Sequence, residues 1–149
     1  MPAPLLRSAL LLIALFSFRC NSGEESRTEA RALLDRLNKL KADGSLTERK
    51  QALDSLEQFS LRSPEHLRVR DLCRNAHLQL LDAEAAQVGA RKALEEATRS
   101  QQPGGGSITP ERGQAIAAEL ERSNAALVAA RREFPKCEEA TLALSREAR

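Results

Sequence analysis

Apolar residues recur at alternating spacings of four and three along two long stretches of this chain. The first stretch is Val69, Cys73, Ala76, Leu80, Ala83, Gln87, Ala90, Leu94 and Ala97. The second is Ile116, Leu120, Ser123, Leu127, Ala130, Phe134, Cys137, Thr141 and Leu144. Such spacing keeps one stripe facing a partner helix, at about 3.5 residues per turn. The two stripes are separated by Gln102-Pro103-Gly104-Gly105-Gly106-Ser107, which cannot continue a helix. The pattern predicts a long antiparallel helical hairpin.

The register of that hairpin follows from a pairing rule. Facing residues of an antiparallel pair keep a constant sum of positions, and pairing Cys73 with Cys137 centres the turn on Gly105. The same register sets Ala76 against Phe134, Leu80 against Ala130, Ala83 against Leu127 and Ala90 against Leu120. Large residues meet small ones, which lets two helices interdigitate. Gln87 falls opposite Ser123, a polar pair inside the seam. A disulfide between Cys73 and Cys137 is expected, because small seam residues allow the close backbone approach that the bond requires.

Upstream lie two shorter amphipathic stretches. Ala30, Leu33, Leu37 and Leu40 form one stripe, and Ala52, Leu53, Leu56 and Phe59 form another. Ser22 to Glu25, Ser26 to Glu29 and Ser45 to Glu48 each fit a capping box, and Ser63-Pro64 and Thr109-Pro110 fit an N-cap followed by proline. Ala42-Asp43-Gly44 stops the first helix. Helices are predicted at about 25–41, 47–61, 64–100 and 110–147, with a kink or restart near Pro135. The fold class is all-α: a coiled-coil-like hairpin, with a shorter hairpin packed at its disulfide end to give a four-helix bundle there. Residues 25–149 form one domain. The hairpin beyond Gln87 and Ser123 is left as an uncovered arm with an alanine-rich seam. Little apolar area is buried there, so the arm should be the least stable part of the fold. Val88, Leu94, Ile116 and Leu120 are its candidate contacts for a partner helix.

Composition agrees with an all-helical reading. The 149-residue chain has no Trp or Tyr, and only Phe59 and Phe134 among its aromatics lie outside the N-terminal segment. That segment has its own pattern: Arg7, then an apolar run from Ser8 to Phe18, then Cys20 and the polar Asn21-Ser22-Gly23-Glu24. The run has the length of a signal-peptide core and is short for a spanning helix. It resembles the N-terminus of bacterial lipoprotein precursors, with Arg19 where that family carries a small residue. The resemblance implies a signal peptide at 1–19, lipid on Cys20, a tether at 20–24 and a place in the periplasm or anchored at the outer membrane. Cleavage near Ser22 or Gly23 and an uncleaved anchor are the alternatives. Losing the signal removes Arg7 and Arg19 and no acid, which leaves the 21 acidic side chains matched by 21 basic ones. A neutral chain without stacking aromatics gives no reason to expect a nucleic-acid partner.

Candidate chemistry is sparse. Placing Gly44 at the sixth position of a calcium loop puts Lys39, Lys41 and Lys50 where oxygen ligands belong. Cys73, His77 and Cys137, with His66 nearby, would make a zinc set only with both thiols reduced, and an oxidising envelope opposes that. No serine or cysteine has a base and orienter in pattern, and Glu95-Glu96 and Glu138-Glu139 point in different directions on a helix. Arg62, Arg68, Arg70 and Arg74 are interspersed with Glu65 and Asp71, as in surface ion pairs. No metal, cofactor or catalytic site is expected. The expected function is that of a non-enzymatic envelope scaffold or adaptor with a protein partner. A holdase-like periplasmic chaperone is the alternative, on the strength of Leu46-Thr47-Glu48 and Ile108-Thr109-Pro110-Glu111, which look like the helix openings of periplasmic helical stress proteins.

Overall fold

A computed structural model describes residues 22–40, 44–99 and 108–149. The glycine run, the N-terminal signal and Cys20 lie outside these residues. Among the described residues four helices follow in order: α1 (Ser22–Leu37), α2 (Leu46–Glu57), α3 (Pro64–Arg99) and α4 (Pro110–Glu147). No strand occurs among the described residues. The protein is an all-α hairpin of α3 and α4 with α1 and α2 packed on one end.

Local chemistry sets most helix starts. The Ser45 side chain accepts the Glu48 amide while the Glu48 carboxylate accepts the Ser45 amide, a complete capping box. Thr109 caps α4 through the Arg112 amide with Pro110 in the first turn, and Ser63 accepts the His66 amide ahead of Pro64. The Ser26–Glu29 box does not form as a cap. α1 already begins at Ser22, taking in part of the expected tether, and Ser26 and Glu29 lie inside it with their side chains turned to other helices. Tertiary partners take both side chains away from a local cap.

Helix ends come earlier than predicted. α1 stops at Leu37, and the chain tightens into i to i+3 hydrogen bonds from the amides of Lys39 and Leu40, which buries Leu40. α2 stops at Glu57, and Phe59 and Leu61 leave the helix yet still pack on the core. The Phe59 carbonyl accepts a hydrogen bond from Arg70, and the Arg62 and Ser63 amides donate to Glu29. These contacts satisfy backbone groups that another turn of helix would have used internally. α4, by contrast, runs unbroken through Pro135, so no restart occurs there. Pro135 and Arg131 are both exposed, so water can solvate the carbonyl that proline leaves unpaired.

In section the disulfide end is a rhombus. α1 touches α2, α3 and α4, whereas among the described residues α2 and α4 do not meet. The core gathers Ala30, Leu33 and Leu37 of α1, Leu53 and Leu56 of α2, and Val69, Ala76 and Leu144 of the hairpin. Cys73 and Cys137 are disulfide-bonded with their Cα atoms 4.8 Å apart. α1 and α2 are also joined at their surface, where Arg36 donates to Ser55 Oγ at 2.8 Å and its guanidinium lies 4.3 Å from the Phe59 ring centre.

Beyond the disulfide the seam departs from the four-three pattern. Ala83 is followed by Ala86, not Gln87, and then by Ala90 and Ala97, all buried. On α4 the buried positions are Ser123, Ala126 and Ala130. Gln87 is exposed, so the expected Gln87–Ser123 pair does not form. Ser123 instead donates to the Ala83 carbonyl at 2.9 Å. The small residue wins each contested position because the helices come close enough for a hydroxyl to reach the neighbouring backbone, and no glutamine side chain fits in that gap.

The cross-link closes a loop with a sequence separation of 64. Replacing both cysteines by serine is expected to lower unfolding free energy by about 4 kcal/mol. Denaturant melts of oxidised protein, reduced protein and the double variant test this. Equal midpoints in all three would refute it.

Candidate functional site

Among the described residues the most deeply buried polar side chain is His66, with 1% of its surface exposed. It stands in the first turn of α3. Glu29 reaches it from α1 and Glu147 from the last turn of α4. Nδ1 lies 2.9 Å from Glu29 Oε1 and Nε2 lies 3.1 Å from Glu147 Oε2. Ser26 Oγ donates to the other oxygen of Glu147, and the Arg62 and Ser63 amides each donate to Glu29 at 3.0 Å. Arg31 Nε donates to the Ala148 carbonyl at 2.7 Å. The start of α3, the end of α4, the middle of α1 and the α2–α3 connection therefore meet on one imidazole.

Electrostatics favour the charged form. Burial alone would push the His66 pKa down, but hydrogen bonds and attraction from Glu29 and Glu147 outweigh it and hold the value above the ordinary 6.5. For Glu29, burial acts upward and is overcome by the Ser63 and Arg62 amides and by His66, so the pKa falls below the ordinary 4.5. Glu147 is also held low, by Ser26 first and then by His66, against burial and the charge of Glu29. An imidazolium donating from both nitrogens to two carboxylates satisfies every member.

That geometry rules out a shared metal on these three groups, because the two ring nitrogens point to opposite sides and each is occupied. Among the described residues no group of three or more His, Cys, Asp or Glu side chains could hold a metal ion. The zinc set weighed above does not assemble. Its thiols are joined to each other, and His66 is engaged by carboxylates. His77 packs edge-on against Phe134, with ring centres 4.9 Å apart. Burial, and then the charge of Arg49, push its pKa down. Arg49 is itself buried and paired with Glu84 of α3.

Of the residues singled out for partner contact, Leu94 and Leu120 are about half exposed, at 50% and 51%, and Ile116 is partly buried. Val88 is also exposed, but it stands two residues past the buried Ala86, about 200° round α3, and does not share a face with the others. Cys20 lies outside the described residues. The Glu29–His66–Glu147 cluster was missed. One signal was available: His66 extends the Val69–Cys73–Ala76 stripe back by three residues, and Glu147 extends Leu144 forward by three.

The class the fold defines is a disulfide-closed helical hairpin with a second hairpin docked on its base. Set against family models, curated proteins and solved structures, the chain matches none.

The cluster fixes a pH dependence. Raised in the fold, the His66 pKa contributes stability that is fully present below 6.5 and is lost as pH rises through the folded value. Lowered, Glu29 and Glu147 contribute stability present above 4.5 and lost as pH falls through their folded values. His77 opposes His66, since a lowered histidine costs stability below 6.5. Urea melts across pH should therefore show the His66 contribution most fully between those two ordinary values. His66→Gln should remove the alkaline decline and cost on the order of 2 kcal/mol at pH 6. An unchanged pH profile in that variant would refute the assignment.

Proposed function

We propose that this protein is a non-enzymatic scaffold or adaptor of the cell envelope, exported and tethered through lipid on Cys20, whose hairpin arm contacts another protein. One observation carries the reading: a covalently closed, well-packed base bears an arm whose apolar side chains are left uncovered. Arg49, in the first turn of α2, pairs with Glu84 of α3. Beyond that point the described part of the arm buries alanines and Ser123, while Leu94, Leu120 and Val128 stand out to solvent. Such a seam contributes little area, so the arm gains by adding a helix from elsewhere. The polar cluster supports a non-catalytic role, since its groups are all engaged in joining α1, α3 and α4. The disulfide is compatible with an exported protein, and no helix among the described residues is long and apolar enough to cross a membrane.

The test is in-cell photocrosslinking from probes at positions 94 and 120, with a probe at position 54 of α2 as the comparison. A discrete adduct from the arm and none from α2 is expected. No adduct from either arm position would remove the basis for the reading. Tethering has its own test. Cys20→Ser should release the protein from the membrane fraction and abolish labelling by a fatty-acid analogue. Equal labelling of both forms would refute lipid attachment at Cys20.

A further inference from the structure

Among the described residues, the first two turns of α1 are attached to the rest of the molecule by polar contacts alone. From Gly23 to Glu29 no side chain is buried, and only Ser26 and Glu29 are partly so. Apolar anchoring starts at Ala30 and Leu33, both fully buried. Glu25 comes within 3.8 Å of Arg62, but both are exposed and such a pair holds little. Thr28 donates to the Glu24 carbonyl inside the helix itself. Two links therefore hold the start of α1. One runs from Ser26 through Glu147 to His66, and the other from Glu29 to His66 and to the Arg62 and Ser63 amides.

The imidazole can serve both carboxylates only while it is charged. A carboxylate accepts and does not donate, so Glu29 and Glu147 each require an N–H from the ring, and a neutral imidazole has one. The two are unequal competitors for it. Glu29 is fixed by two backbone amides and its side chain is 16% exposed, whereas Glu147 has only the Ser26 hydroxyl besides His66 and is 36% exposed. The remaining proton stays on Nδ1, toward Glu29. Nε2 then turns a lone pair on Glu147, and the carboxylate escapes the repulsion by turning to water. His66 and Glu147 both line a cleft of about 540 Å³ between α3 and α4, so there is room for that movement.

We infer that Glu147 is a pH-released latch on the start of α1: loss of the His66 proton frees Glu147, Ser26 loses its partner, and the first turn of α1 comes off the hairpin while Glu29 and the rest of the helix stay docked. The ring itself meets Glu29 from α1 and Glu147 from α4. Around it stand Glu25 and Arg31 of α1, Arg62 of the α2–α3 connection, the exposed Arg146 and Arg149 at the end of α4, and Glu65, Arg68 and Asp71 of α3 along the cleft. Carboxylates and guanidiniums do not ordinarily titrate between pH 6 and 9, so the ring is what changes charge there. Its pKa is held above 6.5 by Glu29 and Glu147 against burial, so the latch is shut below 6.5 and opens as pH rises through the folded value. Each residue that passes from helix to extended chain adds about 2 Å of reach, so opening Ser22 to Glu25 adds about 8 Å. With the chain tethered at Cys20, as proposed above, that moves the bundle away from the membrane. The latch itself does not depend on the tether.

Hydrogen exchange and NMR of the oxidised full chain between pH 6 and 9 test this, with each rate referred to the intrinsic rate at its pH. The amides of Ser26 to Glu29, whose bonding carbonyls lie in the first turn, should lose protection about ten-fold or more over that range, while those of Leu33 to Leu37 hold theirs. The neutral His66 ring should carry its proton on Nδ1. Glu147→Gln separates the latch from a merely structural contact. Its amide can donate to the Nε2 lone pair while its oxygen still accepts from Ser26, so the start of α1 should stay protected at pH 9. Glu147→Ala should leave that turn unprotected at both ends of the range. Protection that does not change with pH in the parent chain overturns the inference. So does a neutral ring protonated on Nε2, a loss shared equally by Leu33 to Leu37, or the parent's loss persisting in Glu147→Gln.

Discussion

Close approach of α3 and α4 is the constraint on which the rest of the structure depends. It requires small side chains between the helices, and alanine and serine fill that role beyond the disulfide. The 4.8 Å separation of Cys73 and Cys137 and the hydrogen bond from Ser123 to the Ala83 carbonyl are two consequences of the same proximity. Closeness has an energetic cost. A seam of alanines removes little apolar surface from water, so the hairpin cannot draw much stability from its own contact. The leucines that could have supplied it sit beside the seam. They become useful only where a third helix covers them, and within the chain α1 does this at one end.

Stability is therefore graded along the hairpin. Leu33, Leu56, His66 and Cys73, the largest fully buried side chains, are all at the end where four helices meet. The polar cluster reinforces the same end. Removing His66 from water is unfavourable by itself, but its two carboxylate partners arrive from helices that are remote in sequence. The cluster rewards only the arrangement in which α1, α3 and α4 are all docked. A hydrophobic core tolerates sliding of one helix on another more readily than a two-sided hydrogen bond does, so the imidazole sets the register that the leucines stabilise.

Much of this was legible in the sequence, and the exceptions have a common cause. The hairpin, the disulfide, the caps at Ser45, Ser63 and Thr109 and the short docked hairpin follow from periodicity and cap chemistry, which are local. Ser26 and Glu29 carry the same local signal as Ser45 and Glu48, yet their side chains serve Glu147, the α2–α3 connection and His66. Nothing within four residues distinguishes the two cases, because the deciding partner lies more than thirty residues away. The seam failed for a related reason. Gln87 and Ala86 are neighbours, and a four-three count cannot choose between them. The choice depends on interhelical distance, which the small residues set collectively.

That ambiguity also bears on what the protein presents to others. In a self-sufficient coiled coil the large residues at strict heptad spacing occupy the seam. Here Leu80, Gln87 and Leu94 keep a spacing of seven, as do Leu120, Leu127 and Phe134, and they lie beside it. A merely solvated hairpin tip has no physical need for leucine at such positions, since polar residues would hold the helix as well and dissolve better. A general holdase surface would be served by apolar residues spread over a broad concave area. Leucines in register on one face, continuous with a face the chain already covers with its own α1, fit a single helical partner in a defined orientation.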